Sequence, residues 1–244
     1  MDKPKRLGML VPSSNTLVEP VCSRMVNDVP EVDCYYSRFP VTHISLEQSS
    51  LKQFDFEPML KAAELLAHAD VDVIAWNGAS GSWFGADIDR ELCALITKTT
   101  GIPATTATLA LLDAFEKNHV KSCHLITPYI PEMNELIMEQ YKTLGIETIH
   151  YEGCGLTVNW QIGSVSQEKL ESMIQNVTSS PADAISVPCT NFPVINHIEY
   201  FENKYNHTIY DTIAVVVKQS MEMVGVDPSK VKGWGRLFQL NAVN

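Results

Sequence analysis

The 244-residue chain has a deficit of basic residues and no apolar run long enough to span a bilayer. It contains 18 lysines and arginines against 29 aspartates and glutamates, a net charge of −11. This balance argues against nucleic acid or an anionic membrane as a partner, because both are themselves negatively charged. Residues 1–6 lead into a short strand pattern and do not resemble a signal peptide. The sequence therefore predicts a soluble cytoplasmic protein.

The cysteines lack the spacing of a metal or dithiol site. None forms a C-x-x-C pair, and no histidine stands at metal-ligand spacing from them. A secreted disulfide scaffold is not expected in a chain of this length without a signal. We expect five of the six cysteines to be structural, namely Cys22, Cys34, Cys93, Cys123 and Cys154.

The sixth cysteine, Cys189, lies in the stretch Ser-Val-Pro-Cys-Thr-Asn at 186–191, which follows an apolar run. The pattern predicts the end of a buried strand that opens into a loop, which is where α/β sheets present reactive groups. Backbone N–H groups at such a position favour a thiolate and bind anions. Taken alone, a lone cysteine is more often a buried structural residue. An internal repeat and a family resemblance favour the functional interpretation.

Short apolar runs alternate with helical patterns along the chain, which is typical of an α/β fold with parallel sheets. The sequence predicts strands over 7–11, 33–39, 71–76, 101–106, 122–126, 147–151, 183–187 and 207–212. It predicts helices over 17–26, 56–69, 87–99, 107–117, 132–144, 167–176, 194–203 and 213–223. Residues 40–55 form a polar connection that is expected to be mobile, and whether it closes over a site as a lid is left open.

The pattern begins again after residue 118, which predicts two similar α/β lobes over 1–118 and 119–226. Each lobe would be a parallel sheet flanked by helices. The tail, 227–244, has no predicted element, and packing against the first lobe is one arrangement open to it. Duplicated α/β units place their strand-end loops face to face and form a cleft between them.

The repeat pairs Gly78 in the first lobe with Cys189 in the second, 189 − 78 = 111 residues apart. The cleft between the lobes would then collect Asn15, residues 78–82, Tyr129 and residues 189–191. We expect Trp76 and Trp83 to pack rather than to react.

Several short motifs resemble the aspartate/glutamate racemase superfamily, and most closely its branch of maleate cis-trans isomerases and arylmalonate decarboxylases. The matching pieces are Leu-Gly-Met-Leu-Val-Pro-Ser-Ser-Asn at 7–15, the glycine loop at 78–83, Thr-Pro-Tyr at 127–129, the Cys189 loop, and Gly-Arg-Leu-Phe at 235–238. Residues 158–163 look like the maleate isomerase pattern. Together these pieces span nearly the whole chain.

The resemblance implies an active site between the lobes of an enzyme that needs no cofactor and acts on a small carboxylate or dicarboxylate. It implies that Cys189 is the catalytic residue. Racemases of this superfamily use two cysteines, whereas the first position here is Gly78, as in arylmalonate decarboxylase. The implied substrate- and oxyanion-binding residues are Asn15, Gly78, Ala79, Ser80, Tyr129, Asn159 and Thr190.

Without the resemblance these side chains have simpler interpretations. Asn15 and Ser80 would be helix caps, Tyr129 a core tyrosine and Asn159 a loop residue.

Within the resemblance, Ala79 stands where the decarboxylase loop carries threonine, so one hydroxyl donor is missing.

Three functions remain open on the sequence. The first is a lyase that decarboxylates a substituted malonate through an enediolate, which Cys189 protonates. The second is an isomerase or racemase of a small carboxylate such as maleate. The third is a carboxylate-binding protein without catalysis. The sequence also leaves open whether the protein is a homo-oligomer.

Overall fold

Two four-stranded parallel sheets, each flanked by helices, form the protein in a computed structural model that describes residues 3–240. The first sheet has the order β2-β1-β3-β4 and the second the order β6-β5-β7-β8, so the two sheets repeat one topology. The predicted α/β fold is confirmed. The strands are β1 (Lys5–Pro12), β2 (Val32–Phe39), β3 (Val73–Trp76), β4 (Ala104–Thr106), β5 (Ser122–Thr127), β6 (Glu147–Gly153), β7 (Ala184–Val187) and β8 (Ile209–Asp211).

The central strands β3 and β7 are buried along their whole length. Helices cover both faces of each sheet, as parallel sheets require. The helices are α1 (Val18–Val26), α2 (Gln48–Leu51), α3 (Phe56–Ala67), α4 (Gly81–Phe84), α5 (Ala86–Thr100), α6 (Ala107–Lys117), α7 (Pro131–Thr143), α8 (Asn159–Ile162), α9 (Gln167–Val177), α10 (Ile198–Tyr205) and α11 (Thr212–Met223). Within residues 3–240, no helix is long and apolar enough to cross a membrane.

The predicted long helices are present, but three single-turn helices were not predicted. These are α2, α4 and α8. Each has only four residues, which is too short for the apolar spacing of a helix to be recognised in the sequence. The helix predicted over 194–203 is instead a 3-10 helix over Pro193–His197 followed by α10. The tail also contains two 3-10 turns, Pro228–Lys230 and Arg236–Gln239.

One hydrophobic cluster contains side chains from both sheets, including Met9 and Ala75 from the first and Leu125 and Val187 from the second. Helices α6 and α11 pack against each other across the two halves of the chain. Each sheet lies within one of the predicted lobes, whereas the core between them is continuous. The division into two lobes stays a prediction.

The two long connections, 40–55 and 153–166, contact each other. His43 pairs with Val158 in an antiparallel bridge, and the N–H of Ile44 donates to the carbonyl of Thr157 at 2.8 Å. The first connection is also more structured and more apolar than predicted. It contains α2 and a 3-10 turn over Lys52–Phe54, and its residue Val41 is buried.

The tail contacts both halves of the chain. Lys230 forms an ion pair with Glu31 at 2.5 Å, and Arg236 donates to the carbonyl of Glu202 at 2.9 Å. Phe238 is buried. The last part of the predicted tail, 241–244, lies outside the described residues.

Candidate active site

The carboxyl ends of β1, β3, β5 and β7 converge on one small cavity between the sheets. We call it the inner cavity. All eight predicted site residues line it: Asn15, Gly78, Ala79, Ser80, Tyr129, Asn159, Cys189 and Thr190. Its volume is about 20 Å³, which is room for about one water molecule. The structure brings these eight residues together at one cavity, and their roles stay predictions.

Cys189 follows the end of β7 and is 3% exposed. Burial raises the pKa of its thiol to about 12, and the nearby carboxyl of Asp211 adds to the rise. The hydroxyl of Tyr129 and the N–H of Asn191 act in the opposite direction without offsetting the burial. The N–H donors that favour a thiolate at this position are thus outweighed by burial. A thiol that keeps its proton at neutral pH is suited to donate it.

Tyr129 lies beside Cys189 and is buried. Its hydroxyl donates to the carbonyl of Pro188 at 3.2 Å, and its ring meets Trp83 edge to face, with 5.4 Å between ring centroids. Burial also holds the pKa of Tyr129 well above its ordinary value. Tyr129 is thus both a core tyrosine and a neutral hydroxyl at the cavity.

Asn15 and Thr190 join the two halves of the chain at the cavity. The side-chain oxygen of Asn15 accepts from the N–H groups of Leu17 and Val18, both at 2.9 Å, so it caps α1. Its amide donates to the hydroxyl and the carbonyl of Thr190, both at 3.2 Å. The Thr190 hydroxyl in turn donates to the carbonyl of Asn77 at 2.8 Å. Asn15 therefore serves as a cap and also lines the cavity.

A second set of buried amides links the Cys189 loop to α8. The side-chain amide of Asn191 donates to the carbonyl of Asn159 at 2.6 Å, and its oxygen accepts from the N–H of Thr16 at 2.9 Å. The amide of Asn159 donates to the hydroxyl of Ser14 at 2.9 Å. Asn191 lines the cavity, in line with the prediction that residues 189–191 lie in the cleft, although it was not named among the substrate-binding residues.

The glycine loop, which lines the same cavity as Cys189, leaves no room for a side chain at residue 78. A Cβ built on Gly78 would lie 2.0–2.6 Å from the indole ring of Trp76. Trp76 is fully buried and packs on Phe39, with 4.9 Å between ring centroids. Trp76 therefore occupies the space that a cysteine side chain at position 78 would need. Gly81 and Ser82, which were also predicted to face the cleft, do not line the inner cavity.

Apolar side chains complete the wall of the inner cavity. Three of them, Val41, Ile44 and Phe54, come from the 40–55 connection, and the others are Pro12, Trp76 and Trp83. The first three were not predicted from the sequence, although they stand out as isolated apolar residues in a polar connection. Of the described residues that line this cavity, none carries a charged side chain. The cavity thus combines amide and hydroxyl groups, an apolar wall and a neutral thiol.

Comparisons with known proteins show what the chain is similar to. A family model described as arylmalonate decarboxylase matches residues 7–238. The maleate isomerase of Geobacillus stearothermophilus is 27% identical over 217 residues, 84% of this chain and 85% of that protein. The arylmalonate decarboxylase of Bordetella bronchiseptica is 23% identical over 240 residues, 95% of each chain. The crystal structure of a Pseudomonas putida maleate isomerase has the same fold, with a TM-score of 0.90, 22% identity, and coverage of 99% of this chain and 100% of that chain.

Proposed function

Because the chain belongs to the arylmalonate decarboxylase family, we propose that it is a lyase that decarboxylates a substituted malonate without a cofactor. The observation that carries this proposal is that the inner cavity has one thiol and no room for a second one at residue 78. Cys189 is the one cysteine among the described residues that line the inner cavity, and its thiol is neutral. Trp76 fills the space that a side chain at Gly78 would need. A single proton donor suits protonation of a carbanion on one face.

Loss of CO2 from a malonate breaks the bond between the α-carbon and one carboxylate. The electron pair of that bond stays on the remaining fragment as an enediolate, whose charge is shared by two oxygens. Donors aimed at these oxygens lower the barrier, and each is worth about 2.7–4 kcal/mol in comparable sites. The hydroxyls of Ser80 and Tyr129 and the N–H of Thr190 are our candidates for these donors.

The apolar wall has a role in the same step. A carboxylate placed against Val41 and Ile44 loses solvation that neutral CO2 does not need, which favours its departure. Asn15 and Asn159 would hold the carboxylate that stays, by exchanging their present hydrogen bonds for bonds to the substrate.

Cys189 completes the reaction by proton transfer. Its S–H proton passes to the α-carbon, the electron pair of the enediolate forms the new C–H bond, and a thiolate remains. The thiolate takes a proton from water before the next turnover. A pKa of about 12 makes the thiol a weak acid at rest, yet an enediolate is a much stronger base, so the transfer is downhill.

The test is incubation with alkyl- and arylmalonates and with maleate in deuterated buffer, read by CO2 release and proton NMR. We expect CO2 release with one deuterium placed on one face of the product, and loss of both in Cys189→Ala. Cys123→Ala is the matched control, because Cys123 is equally buried but lies in β5 and not in the cavity lining.

Other outcomes point to the other functions. Fumarate formed from maleate would make the protein an isomerase that works with a single cysteine. Exchange of the α-hydrogen without CO2 would indicate a racemase. Stabilisation by dicarboxylates without any turnover would leave a binding protein. Cys189→Ala with normal turnover would contradict the proposed mechanism for any of the reactions.

A further inference from the structure

A polar cavity between α5 and α7 takes no part in the proposed reaction. We call it the α5–α7 cavity. It is lined by residues of both halves of the chain, including Ser82 and Arg90 from the first and Gln140 and Tyr141 from the second. Its volume is about 140 Å³, which is room for about ten water molecules. Of the described residues, none lines both this cavity and the inner cavity, so the two are separate.

The hydroxyl of Ser82 is buried at this cavity and lacks a hydrogen-bond partner. Ser82 is 2% exposed, and no group among residues 3–240 forms a hydrogen bond with its Oγ atom. Buried polar groups are almost always hydrogen-bonded, because an unpaired one is unfavourable for the folded protein. A ligand that accepts a hydrogen bond from Ser82 would remove this cost.

The N-terminus of α5 lies at the same cavity, which is lined by Gly85 and Asp87. The helix has 15 residues and its cap residue is Gly85, which has no side chain to accept from the N–H groups of the first turn. Such N–H groups carry partial positive charge and bind anions. Arg90 adds a guanidinium group one turn further along the helix. The helix therefore contributes two kinds of anion-binding group.

The acidic side chains near this cavity leave room for an added anion. Of the described residues that line it, Asp87 and Arg90 are the charged ones, and they form an ion pair at 2.6 Å. The side chain of Asp87 is 96% exposed, so this pair is weak and Asp87 can turn into solvent. Asp89 lines a different cavity, and its carboxyl accepts from the hydroxyl of Thr106 at 2.5 Å.

The donors at the cavity come from three elements: Ser82 from α4, Arg90 from α5 and Gln140 from α7. Gln140 reaches the start of α5, since its side-chain oxygen lies 3.4 Å from a Cβ built on Gly85. A tetrahedral anion presents oxygens in four directions and can accept from all three donors, whereas the two oxygens of a carboxylate lie in one plane. We propose that the α5–α7 cavity binds a small tetrahedral oxyanion, namely phosphate or the phosphate group of an ester.

The bound oxyanion would also hold α4 in place beside the inner cavity. Ser82 belongs to α4 and precedes Trp83, which lines the inner cavity. Gly81 packs directly on α5, because a Cβ built on it would lie 2.6–2.7 Å from the carboxyl of Asp89. An anion that bonds to both Ser82 and Arg90 therefore ties α4 to α5 and fixes Trp83 in the wall of the inner cavity. This effect does not depend on which reaction the inner cavity catalyses.

The test is calorimetric titration of the protein with inorganic phosphate at constant ionic strength, and we expect saturable binding of one phosphate per chain. Ser82→Ala should raise the Kd about threefold to tenfold, and Arg90→Gln about tenfold or more, because a charged donor contributes more. Asp87→Asn should lower the Kd, since it removes the carboxylate that competes for Arg90. Arg24→Gln is the matched control, because Arg24 is an exposed arginine that does not line the cavity, and its Kd should stay within about twofold of the wild type.

Two further measurements separate binding from a merely structural role of Ser82. Because its hydroxyl has no partner, Ser82→Ala should keep or raise the urea midpoint while it weakens phosphate binding. Phosphate should also slow amide hydrogen exchange in the peptide covering 80–86 about threefold or more in the wild type, but not in Ser82→Ala. Glycerol 3-phosphate, titrated in parallel, distinguishes the two sources: tighter binding than phosphate assigns an ester, and equal or weaker binding assigns free phosphate.

The remaining outcomes would overturn the proposal. No saturable binding of either phosphate compound, or one Kd shared by the wild type, Ser82→Ala and Arg90→Gln, would exclude the site. An equal loss of affinity in Arg24→Gln and Arg90→Gln would show attraction to charge in general and an adventitious ion only. Unchanged hydrogen exchange in spite of binding would overturn the link to α4. The malonate assays are run without phosphate, so their failure and the failure of this site are independent.

Discussion

At the scale of single residues, burial determines the chemistry of Cys189. Because its pKa is raised to about 12, its thiolate fraction at pH 8 is about one part in ten thousand. Only the thiolate reacts with iodoacetamide. We therefore expect the alkylation rate of Cys189 to rise about tenfold per pH unit from pH 7 to pH 10, without a plateau.

Mass spectrometry of the Cys189 peptide after timed alkylation measures this rate, and glutathione under the same conditions provides an ordinary thiol for comparison. Slow access to the buried thiol would lower every rate but would not change the slope with pH. A plateau below pH 9 would show that the protein stabilises the thiolate, and it would contradict the role of Cys189 as a neutral acid.

A second prediction at this scale concerns the pair Trp76 and Gly78. Gly78→Cys should lower the free energy of unfolding by about 1–3 kcal/mol, because the new Cβ would overlap the indole ring. In the double variant Trp76→Leu/Gly78→Cys, the destabilisation caused by Gly78→Cys should disappear, because leucine does not fill the space that the indole ring of Trp76 occupies. Urea denaturation of the wild type, both single variants and the double variant forms a closed cycle. Additive changes in free energy across the cycle would show that Trp76 does not exclude a side chain at position 78.

At the scale of elements, protonation of Asp211 at the N-terminus of α11 makes the stability of the protein depend on pH. Its carboxylate accepts from the N–H of Ile213 at 2.8 Å, but its other oxygen is buried without a partner. Burial raises its pKa to about 7, although the N–H groups of Ile213 and Ala214 act in the opposite direction. An unfolded aspartate has a pKa of about 3.9, so the native state holds this proton more tightly. The stabilisation of the native state by this proton is present in full below about pH 4 and is lost as the pH rises to about 7.

Asp211→Asn should therefore raise the free energy of unfolding at pH 8 by about 1–4 kcal/mol and leave it nearly unchanged at pH 4. The asparagine oxygen can still cap the helix. Urea denaturation at pH 4, 6 and 8 measures the effect. Asp227→Asn is a control of opposite sign, since hydrogen bonds from Ser229 lower the pKa of the exposed Asp227. A gain for Asp211→Asn that is equal at all three pH values would contradict the assignment.

The length of a helix determines whether it could be predicted from the sequence. Helices with several turns, such as α3 and α5, were predicted to within a few residues because their apolar spacing repeats. The single-turn helices α4 and α8 were not, although α4 begins in the glycine loop and α8 carries Asn159. Their formation depends on contacts with other elements, such as the hydrogen bond that the side-chain amide of Asn159 donates to the hydroxyl of Ser14.

At the scale of the whole molecule, the repeat predicted which loops meet, because duplicated sheets present their carboxyl ends to a common cleft. The sequence did not predict that the cavity between them is closed to about 20 Å³. That closure arises from side chains far apart in sequence, namely Phe54, Trp76 and Trp83, and no local pattern records their packing. The protonated state of Cys189 has the same origin, because burial outweighs the nearby N–H donors.

The two halves should unfold together in spite of the repeat. A buried hydrogen bond between Asn15 and Thr190 and a partly buried one between Thr16 and Asn191 join the two halves. Helices α6 and α11 pack across the same boundary, and one hydrophobic cluster includes both sheets. Separating the halves would expose this shared core to water, so an intermediate with one folded half is disfavoured.

We therefore expect a single urea transition with the same midpoint by far-UV circular dichroism and by tryptophan fluorescence. The tryptophans report on both halves, since Trp76 and Trp83 belong to the first, Trp160 belongs to the second, and Trp234 lies in the tail. Thr190→Val removes the hydroxyl that donates to the carbonyl of Asn77. It should lower the free energy of unfolding by about 1–3 kcal/mol, and with it the urea midpoint, while the unfolding remains a single transition. Two separate transitions in the wild type would show that each half is stable alone and that the cavity is a joint between independent domains.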